Sequence, residues 1–283
     1  MKKFKQIFFS LLLLGFLSPI LLLGYFLVGE SYDISSLVNY KPSVTTRIYD
    51  KNGDKIANLF KTKHRYYATF DEIPPKMIEA LLAIEDTTFF EHPGINIDAI
   101  FRAIIKDVKA RKMVEGASTI TQQLIKNKLL TREKKLSRKI KEVIYSLKLE
   151  NSLSKEEILE RYLNEIYFGH GYYGIKTAAD GYFHKNLDDL TLKEMALLVG
   201  LPKAPSSYAP TKNYEISIGR ANRVITRMHI LGWIDDETYN EALAERPNVF
   251  DDTLTQNLAP FVVDEVIRRS KSLGMNDIKT GGY

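Results

Sequence analysis

Residues 74–86 have the sequence PPKMIEALLAIED, which combines the signal of a helix start with the pattern of a buried helix. The two prolines suit the first turn, where a missing N–H group costs no hydrogen bond. Apolar residues then recur at helical spacing, namely Met77, Ile78, Leu81, Leu82 and Ile84. The pattern predicts a helix with one apolar face that ends on two acids, Glu85 and Asp86.

Helical patterns also occupy most of the chain that follows. Ser154 with Glu157 forms a capping box, the signature of a helix start, and the same signature recurs at 191–194. Apolar spacing predicts other helices at 97–112, 119–130, 136–149, 215–231, 236–245 and 260–270. On the N-terminal side, residues 50–53 (DKNG) lie between two extended stretches and predict a β-hairpin. We therefore predict a mainly α protein with a small β-hairpin element.

The first residues have the composition of a membrane anchor. Lysines at positions 2, 3 and 5 precede an uncharged run from Ile7 to Val28, which as a helix would span roughly 33 Å. The positive-inside rule then places everything after Gly29 outside the cytoplasm. A cleaved signal peptide is the alternative, but the run is long for one and no A-x-A cleavage site follows. The sequence therefore predicts a single-pass membrane protein.

Composition excludes some classes of site and points to another. The 283 residues contain no cysteine, which excludes a disulfide framework, a thiolate nucleophile and a Cys-ligated zinc. The net charge is +5, yet residues 126–148 hold nine basic and two acidic residues. This stretch is a solvated helix face, a nucleic-acid surface, or a site for a phosphorylated ligand or anionic lipid headgroup. The predicted extracytoplasmic location argues against nucleic acid and favours the last interpretation.

The acids that end helix 74–86 are the first candidates for chemistry. Glu85 and Asp86 are followed closely by Phe89 and Phe90. Burial beside aromatic rings would raise the pKa of a carboxyl group, which suits a general base. Neighbouring helical residues point about 100° apart, so the two acids are not expected to share one role. The alternative is two solvated acids at a helix end.

Two further segments offer polar chemistry. Gly116 permits close approach of a backbone, and Ser118 is a candidate N-cap. The helix that follows would then bind an anion through free N–H groups, although alone the segment is only a helix cap. Its two adjacent glutamines are more often surface residues. Arg138 and Glu142 lie four residues apart, so their plainest interpretation is a helix ion pair.

Taken together, these segments resemble the peptidoglycan glycosyltransferases of family 51, the glycan-polymerising domains of class A penicillin-binding proteins and their monofunctional relatives. The resemblance covers roughly residues 65–245. One such motif would be weak, but four in order behind a membrane anchor are specific. The motifs are Glu85-Asp86-x-x-Phe89-x-x-His92-x-Gly94, Gly116-x-Ser118-Thr119-Ile120-Thr121-Gln122-Gln123-Leu124-x-Lys126-Asn127, Arg138-Lys139-x-x-Glu142 and Glu157-Ile158-Leu159-x-x-Tyr162-Leu163-Asn164-x-Ile166-Tyr167-x-Gly169.

The resemblance implies a fold, a substrate and two catalytic acids. The fold is lysozyme-like and mostly helical, and the substrate is lipid II, the undecaprenyl-pyrophosphoryl disaccharide-pentapeptide. Glu85 matches the catalytic base, which takes the proton from the 4-hydroxyl of the acceptor sugar. That oxygen attacks the anomeric carbon of the donor, and the lipid pyrophosphate leaves with inversion. Glu142 matches a second acid near the pyrophosphate and a divalent cation, Mg or Mn.

The resemblance also implies a set of substrate-binding residues. Arg102 and Lys126 match residues that hold the donor pyrophosphate. Lys134 stands where relatives often carry Arg, so it keeps the charge but loses the bidentate fork. The full implied set is Arg102, Ser118, Gln122, Gln123, Lys126, Asn127, Lys134 and Arg138.

Physical chemistry agrees with these implications. A leaving pyrophosphate gains negative charge, which the basic stretch 126–148 would stabilise. A polyprenyl tail stays in the membrane, so we expect exposed apolar side chains beside the site, from helix 97–112 or the region 114–130. A base that works near neutral pH requires a partly desolvated Glu85.

Four segments follow from this interpretation. Residues 1–29 form a cytoplasmic tip and transmembrane helix, and residues 30–70 a linker with the small β element. Residues 71–245 form the glycosyltransferase domain, and 246–283 a linker toward a missing transpeptidase domain. A naturally monofunctional enzyme is the alternative. The catalytic domain would lie on the outer, periplasmic side of the bacterial cytoplasmic (inner) membrane.

Other functions remain open at this point. A lysozyme-like hydrolase or lytic transglycosylase shares the fold and the acid at a helix end, but would not need a basic site for pyrophosphate. A membrane-anchored protein that binds lipid II without turnover is a second alternative, and a basic interaction module without a ligand pocket is the weakest. The expected partners are lipid II, the growing glycan chain, the inner membrane and possible cell-wall synthesis proteins, with no nucleic acid.

Overall fold

The computed structural model describes residues 33–110, 116–130, 136–251 and 257–283. Within these ranges the chain is mainly helical and has one two-stranded sheet, which confirms the predicted mainly α class and the hairpin. The transmembrane helix predicted over 7–28 lies outside the described residues. Among the helices of the described ranges, none combines the length and the hydropathy needed to cross a bilayer.

Twelve helices and two strands are described, and three short 3₁₀ turns lie between them at Phe70–Glu72, Leu187–Asp189 and Leu201–Lys203. In chain order the elements are α1 (Ser35–Val38), β1 (Thr46–Tyr49), β2 (Lys55–Leu59), α2 (Pro75–Glu85), α3 (Ile97–Ala110), α4 (Ile120–Lys128), α5 (Leu136–Glu150), α6 (Lys155–Glu165), α7 (Ile175–Phe183), α8 (Leu192–Gly200), α9 (Pro205–Tyr208), α10 (Tyr214–Ile230), α11 (Asp236–Ala244) and α12 (Pro260–Ser272).

Helices α2, α8 and α10 pack against one another in the main hydrophobic core. In α8 every residue from Lys193 to Gly200 is buried. Its start is fixed by the predicted capping box, in which Thr191 Oγ1 accepts from the Glu194 N–H at 3.2 Å. Because α2 packs against both other helices, the core also fixes the position of Glu85 at the C-terminal end of α2.

One fully buried cation, Lys193, joins helices α8, α10 and α11. Lys193 Nζ on α8 donates to Asn222 Oδ1 on α10 at 2.5 Å and to the Ala242 carbonyl on α11 at 2.9 Å. A third bond reaches the Leu243 carbonyl at 3.3 Å. The ammonium group thus satisfies carbonyls at the C-terminal end of α11, where a helix leaves acceptors free.

Replacing Lys193 with Met is therefore expected to lower the free energy of unfolding by about 2–4 kcal/mol, because the buried carbonyl of Ala242 and two partly buried acceptors lose their donor. Urea denaturation followed by circular dichroism measures the change. The exposed Lys212, replaced by Met in the same way, should change stability by less than about 0.5 kcal/mol. Equal effects of the two substitutions would contradict the capping role of Lys193.

The hairpin belongs to a second, smaller hydrophobic cluster. Strands β1 and β2 are antiparallel, with Thr46 opposite Leu59. Their buried side chains pack with Val263 of α12 and with Ile278. The last residues extend this arrangement, since the Arg47 N–H donates to the carbonyl of Tyr283 at 3.0 Å. The predicted β element and the C-terminal segment, which the sequence placed in two separate linkers, therefore pack together.

Helix α6 holds the chain that precedes α2. Arg161 Nε donates to the Leu37 carbonyl at 2.6 Å. Asn164 pairs with the backbone of Ala68, its Oδ1 accepting the N–H at 2.9 Å and its Nδ2 donating to the carbonyl at 2.7 Å. The described part of the segment predicted as a linker with the small β element, 30–70, is thus anchored on α6 at Leu37 and at Ala68.

Candidate active site

Glu85 is the last residue of α2, and its side chain is 14% exposed. Gln123 Nε2 on α4 donates to Glu85 Oε2 at 2.8 Å. Arg220 on α10 places Nη2 at 3.6 Å from Glu85 Oε1. The expected burial of this carboxyl group is confirmed, and each of its two oxygens faces a donor from a different helix.

Burial raises the pKa of Glu85 above its ordinary value, while a hydrogen bond and three cations partly oppose that rise. The hydrogen bond comes from Gln123. The cations are Arg220, Lys203 and Lys126. A raised pKa makes the carboxylate a stronger proton acceptor, and the surrounding positive charge favours its ionised form. Both properties suit a general base.

Asp86, the neighbouring acid, faces away from Glu85 and is buried. Its carboxylate accepts from His92 Nε2 at 3.0 Å and from the Ile120 N–H at 3.0 Å. Because His92 Nδ1 accepts from the Gly94 N–H at 3.1 Å, the ring proton lies on Nε2. The alternative of two solvated acids is wrong, and the expected division of roles is confirmed: Asp86 holds the start of α4.

The start of α4 differs from the prediction. The N-cap is Thr119, whose Oγ1 accepts from the Gln122 N–H at 3.2 Å while Gln122 Oε1 accepts from the Thr119 N–H at 3.1 Å. Ser118 cannot complete such a box, because Thr121 and not Glu or Gln lies three residues beyond it. The predicted cap at Ser118 is therefore wrong. The N–H groups expected to bind an anion are partly occupied, since Asp86 takes that of Ile120.

The two glutamines of the second motif have different environments. Gln122 is 1% exposed and serves the capping box, and its buried Nε2 has no hydrogen-bond partner among the residues that the structure describes. Gln123 is half-buried and reaches Glu85. At its other end, Gln123 Oε1 accepts from the hydroxyl of Tyr162 on α6 at 3.2 Å. The plain interpretation of both as surface residues is wrong.

Glu142 forms a second polar cluster on α5. It is 2% exposed, and its oxygens pair with Arg138 Nη1 at 2.7 Å and Lys139 Nζ at 2.9 Å. Lys139 Nζ also donates to Ser118 Oγ at 3.0 Å. The predicted Arg138–Glu142 ion pair is thus present. Because Glu142 is buried between two cations, it does not belong to a solvated helix face. The cluster links α5 to Ser118, the residue before the N-cap of α4.

Three of the remaining predicted binding residues are exposed on two helices. Lys126 and Asn127 are exposed on α4, and Arg102 is exposed on α3. Lys126 contributes to the positive potential at Glu85. Lys134 lies outside the described residues.

Arg220 is a site residue that the sequence analysis missed. Its Nε donates to the Gly200 carbonyl at 3.4 Å, and a Cβ on Gly200 would lie 2.9 Å from Arg220 Cγ. Glycine at that position thus leaves room for the arginine stem beside α8. The available signal was an arginine on the buried stripe of α10 without an acid three or four residues away.

Lys139 and Tyr162 stand in the third and fourth motifs but were given no role. Lys139 pairs with Glu142 three residues further along α5, a contact that helix spacing could have predicted. The other contacts, of Lys139 with Ser118 and of Tyr162 with Gln123, join residues far apart along the chain, which no spacing rule within one helix pairs.

Comparisons with known proteins agree with the motifs. The model of the transglycosylase family matches residues 52–229. Penicillin-binding protein 1A of Rickettsia typhi is 40% identical over 277 residues, which cover 95% of this chain and 35% of that protein. Penicillin-binding protein 1F of Bacillus subtilis is 42% identical over 224 residues, or 79% of this chain and 30% of that protein.

Two further comparisons concern penicillin-binding protein 1A. The protein of Escherichia coli is 42% identical over 216 residues, or 76% of this chain and 25% of that protein. A crystal structure from Haemophilus influenzae is similar with a TM-score of 0.46 at 25% identity, over 86% of this chain and 26% of that one. This chain therefore spans about a third or less of the length of these relatives.

Proposed function

Because this chain belongs to the transglycosylase family, we propose that it is a peptidoglycan glycosyltransferase that polymerises lipid II into glycan strands. The observation that carries the proposal is the environment of Glu85. Gln123 and Arg220 hold this partly buried carboxylate, and Gln123 lies five residues along the chain from Ser118, which contacts Lys139 of the Glu142 cluster. Transfer from a pyrophosphate donor requires a base for the acceptor and a group of cations for the leaving group.

In the proposed reaction, ionised Glu85 accepts the proton of the acceptor 4-hydroxyl. The acceptor oxygen forms the new bond to the anomeric carbon of the donor, on the face opposite to the leaving group. The bond from that carbon to the pyrophosphate oxygen breaks, and its electron pair leaves with the lipid pyrophosphate. Arg138, Lys139 and Lys126 supply positive charge for the leaving group, because preorganised cations stabilise charge that develops in a transition state.

The residues do not fit a resident divalent cation. Among the described residues no three His, Asp or Glu side chains gather where a metal ion could bind. Both oxygens of Glu142 are already paired with Arg138 and Lys139. A need for Mg or Mn stays a prediction, which activity in the presence of a chelator would test.

Helix α3 supports the proposed contact with the lipid tail. Its exposed apolar residues form one face, while residues 116–130 keep their apolar side chains buried or half-buried. Of the two expected locations for an apolar surface, α3 is thus the one observed. We propose that this face meets the polyprenyl chain at the outer side of the membrane, with the predicted anchor at 7–28 in the bilayer. The exposed residues are Ile97, Phe101, Ile104, Ile105 and Val108.

Replacing Phe101, which is 62% exposed, with Asn is expected to raise the KM for long-chain lipid II by about tenfold. The reason is the loss of apolar contact with the polyprenyl tail. KM for a donor with a short, soluble prenyl chain should not change. Ile230, 68% exposed on α10, is the matched control, and Ile230→Asn should leave both KM values unchanged. An equal rise in KM for both donors would contradict a contact between Phe101 and the polyprenyl tail.

The proposed function is tested with the full chain in detergent and fluorescently labelled lipid II. The expected result is a ladder of polymer on a sizing gel that lysozyme digests. If preformed glycan is shortened instead, the lytic alternative is correct. If lipid II binds and no product forms from folded protein, the chain is a binding protein and the proposal fails.

A further inference from the structure

Tyr162 is a buried phenol that the proposed reaction does not use. It lies on α6 with 1% of its surface exposed, and its hydroxyl donates to Gln123 Oε1 at 3.2 Å. Burial raises the pKa of this phenol well above its ordinary value, and the nearby acids Glu85 and Asp86 raise it further. The hydroxyl therefore stays protonated and remains a donor.

Two hydrogen bonds run in the same direction from Tyr162 through Gln123 to Glu85. Tyr162 donates to Gln123, and Gln123 donates to Glu85 at 2.8 Å. A glutamine amide has a donor end and an acceptor end, whereas an ionised carboxylate only accepts. If the amide turned over, its oxygen would face Glu85 and disfavour the ionised form. The orientation of this amide thus decides whether Gln123 supports or opposes the base.

We propose that Tyr162 is a positioning residue for catalysis, which keeps the Nε2 end of Gln123 toward Glu85 by donating to the Oε1 end. The inference rests on the proposed function of the site, because the orientation of Gln123 affects a rate only where Glu85 is a base. Tyr162 itself touches neither the reacting atoms nor Glu85.

The charged and titratable groups around Glu85 come from three helices, from the residue that follows α2 and from the turn after α8. They are Asp86 just after α2, Lys126 on α4, Tyr162 on α6, Lys203 in the 3₁₀ turn and Arg220 on α10, and the neutral amide of Gln123 lies among them. Removing the Tyr162 hydroxyl changes none of these charges, so an altered titration of Glu85 would report a changed orientation of the Gln123 amide.

Tyr162→Phe is expected to lower kcat about tenfold on the acidic limb of its pH profile, below the pKa of Glu85, and to leave the KM for lipid II unchanged. With no donor at its oxygen end, the amide rotates and the protonated form of Glu85 gains stability. The acidic limb of the kcat profile should therefore move up by about one pH unit. A slower enzyme with an unmoved pH profile would overturn the proposal.

A double substitution separates positioning from support of the fold. In a Gln123→Leu background there is no amide to orient, so adding Tyr162→Phe should change kcat by less than about twofold. If the two losses multiply, Tyr162 acts independently of Gln123 and the proposal fails. Tyr182 is the matched control, because it is fully buried and its hydroxyl donates to the Phe168 carbonyl at 3.0 Å. Tyr182→Phe should leave the pH profile in place.

A measurement on the unchanged protein covers the case in which Tyr162→Phe does not fold. With 15N-glutamine labelling and Gln123→Leu for assignment, the side-chain amide signals of Gln123 are followed from acidic to neutral pH. If Nε2 faces Glu85, its protons shift with the ionisation of Glu85, and that shift disappears in Glu85→Gln. An amide that does not respond overturns the proposal. This readout needs no turnover, so it is independent of whether the chain polymerises lipid II.

Discussion

Replacing Glu85 with Gln is expected to lower kcat for polymerisation by about 10²–10⁴-fold, the usual contribution of a general base. The substitution keeps the size and the polarity of the side chain but removes its ability to accept the acceptor proton. Gln123 and Arg220 would remain in place around it. Lipid II should still bind with similar affinity, because the phosphate-binding cations are unchanged. Single-turnover assays beside direct binding measurements separate the two effects.

Glu79 is the matched control for this prediction. It lies on the same helix, carries the same charge and forms an ion pair with Lys76 at 2.7 Å, with 38% of its side chain exposed. Glu79→Gln should leave kcat within about twofold of the unchanged enzyme, because exposed pairs contribute little. If Glu85→Gln retains full turnover, Glu85 is not the base and the proposed mechanism is wrong.

Local sequence signals predicted the helices whose first turn has a marked sequence, such as a proline or a capping box. The prolines at 74 and 75 predicted the start of α2 at Pro75, and the capping boxes at Ser154 and Thr191 predicted α6 and α8. Helix α7 was not predicted. It begins after Gly174, which has no side chain to act as a cap, and it covers only Ile175–Phe183. A short helix without a side-chain cap leaves little for periodicity to detect.

The candidate site was predicted in its composition but not in its contacts. The motifs supplied Glu85 and Gln123 as members, and the family they indicated is confirmed. Their pairing, and the position of Arg220 beside them, depends on how α2, α4 and α10 pack. The same limit applies to the cap at Thr119, where the signature Thr119-x-x-Gln122 was present in the sequence but was overlooked in favour of Ser118.

Asp86 shows why tertiary contacts can change the meaning of a motif. From the sequence, the start of α4 was a helix cap or an anion site with free N–H groups. In the structure one of those groups, at Ile120, is already bound by the carboxylate of Asp86. The proposed binding of a pyrophosphate therefore relies mainly on side chains. Positive charge is concentrated at Arg138 and Lys139, on either side of the buried Glu142.

Replacing Arg138 with Met is accordingly expected to lower kcat/KM for lipid II by about 10²–10³-fold. The substitution removes a cation that would face the leaving pyrophosphate, and it leaves Glu142 with Lys139 alone. Arg138→Lys should restore part of the loss, because it returns the charge without the bidentate fork. Steady-state kinetics at several salt concentrations provide the measurement, and the salt dependence should weaken with the loss of a phosphate contact.

Lys148 provides the comparison that decides between a phosphate site and a solvated basic face. It belongs to the same basic stretch and the same helix, and it is exposed in the last turn of α5, roughly 15 Å along the axis from Arg138. Lys148→Met removes the same charge from the stretch. If the charge of the whole stretch matters, the two substitutions should have similar effects. If the Glu142 cluster binds the pyrophosphate, only Arg138→Met should slow the reaction, and this second outcome is the one expected.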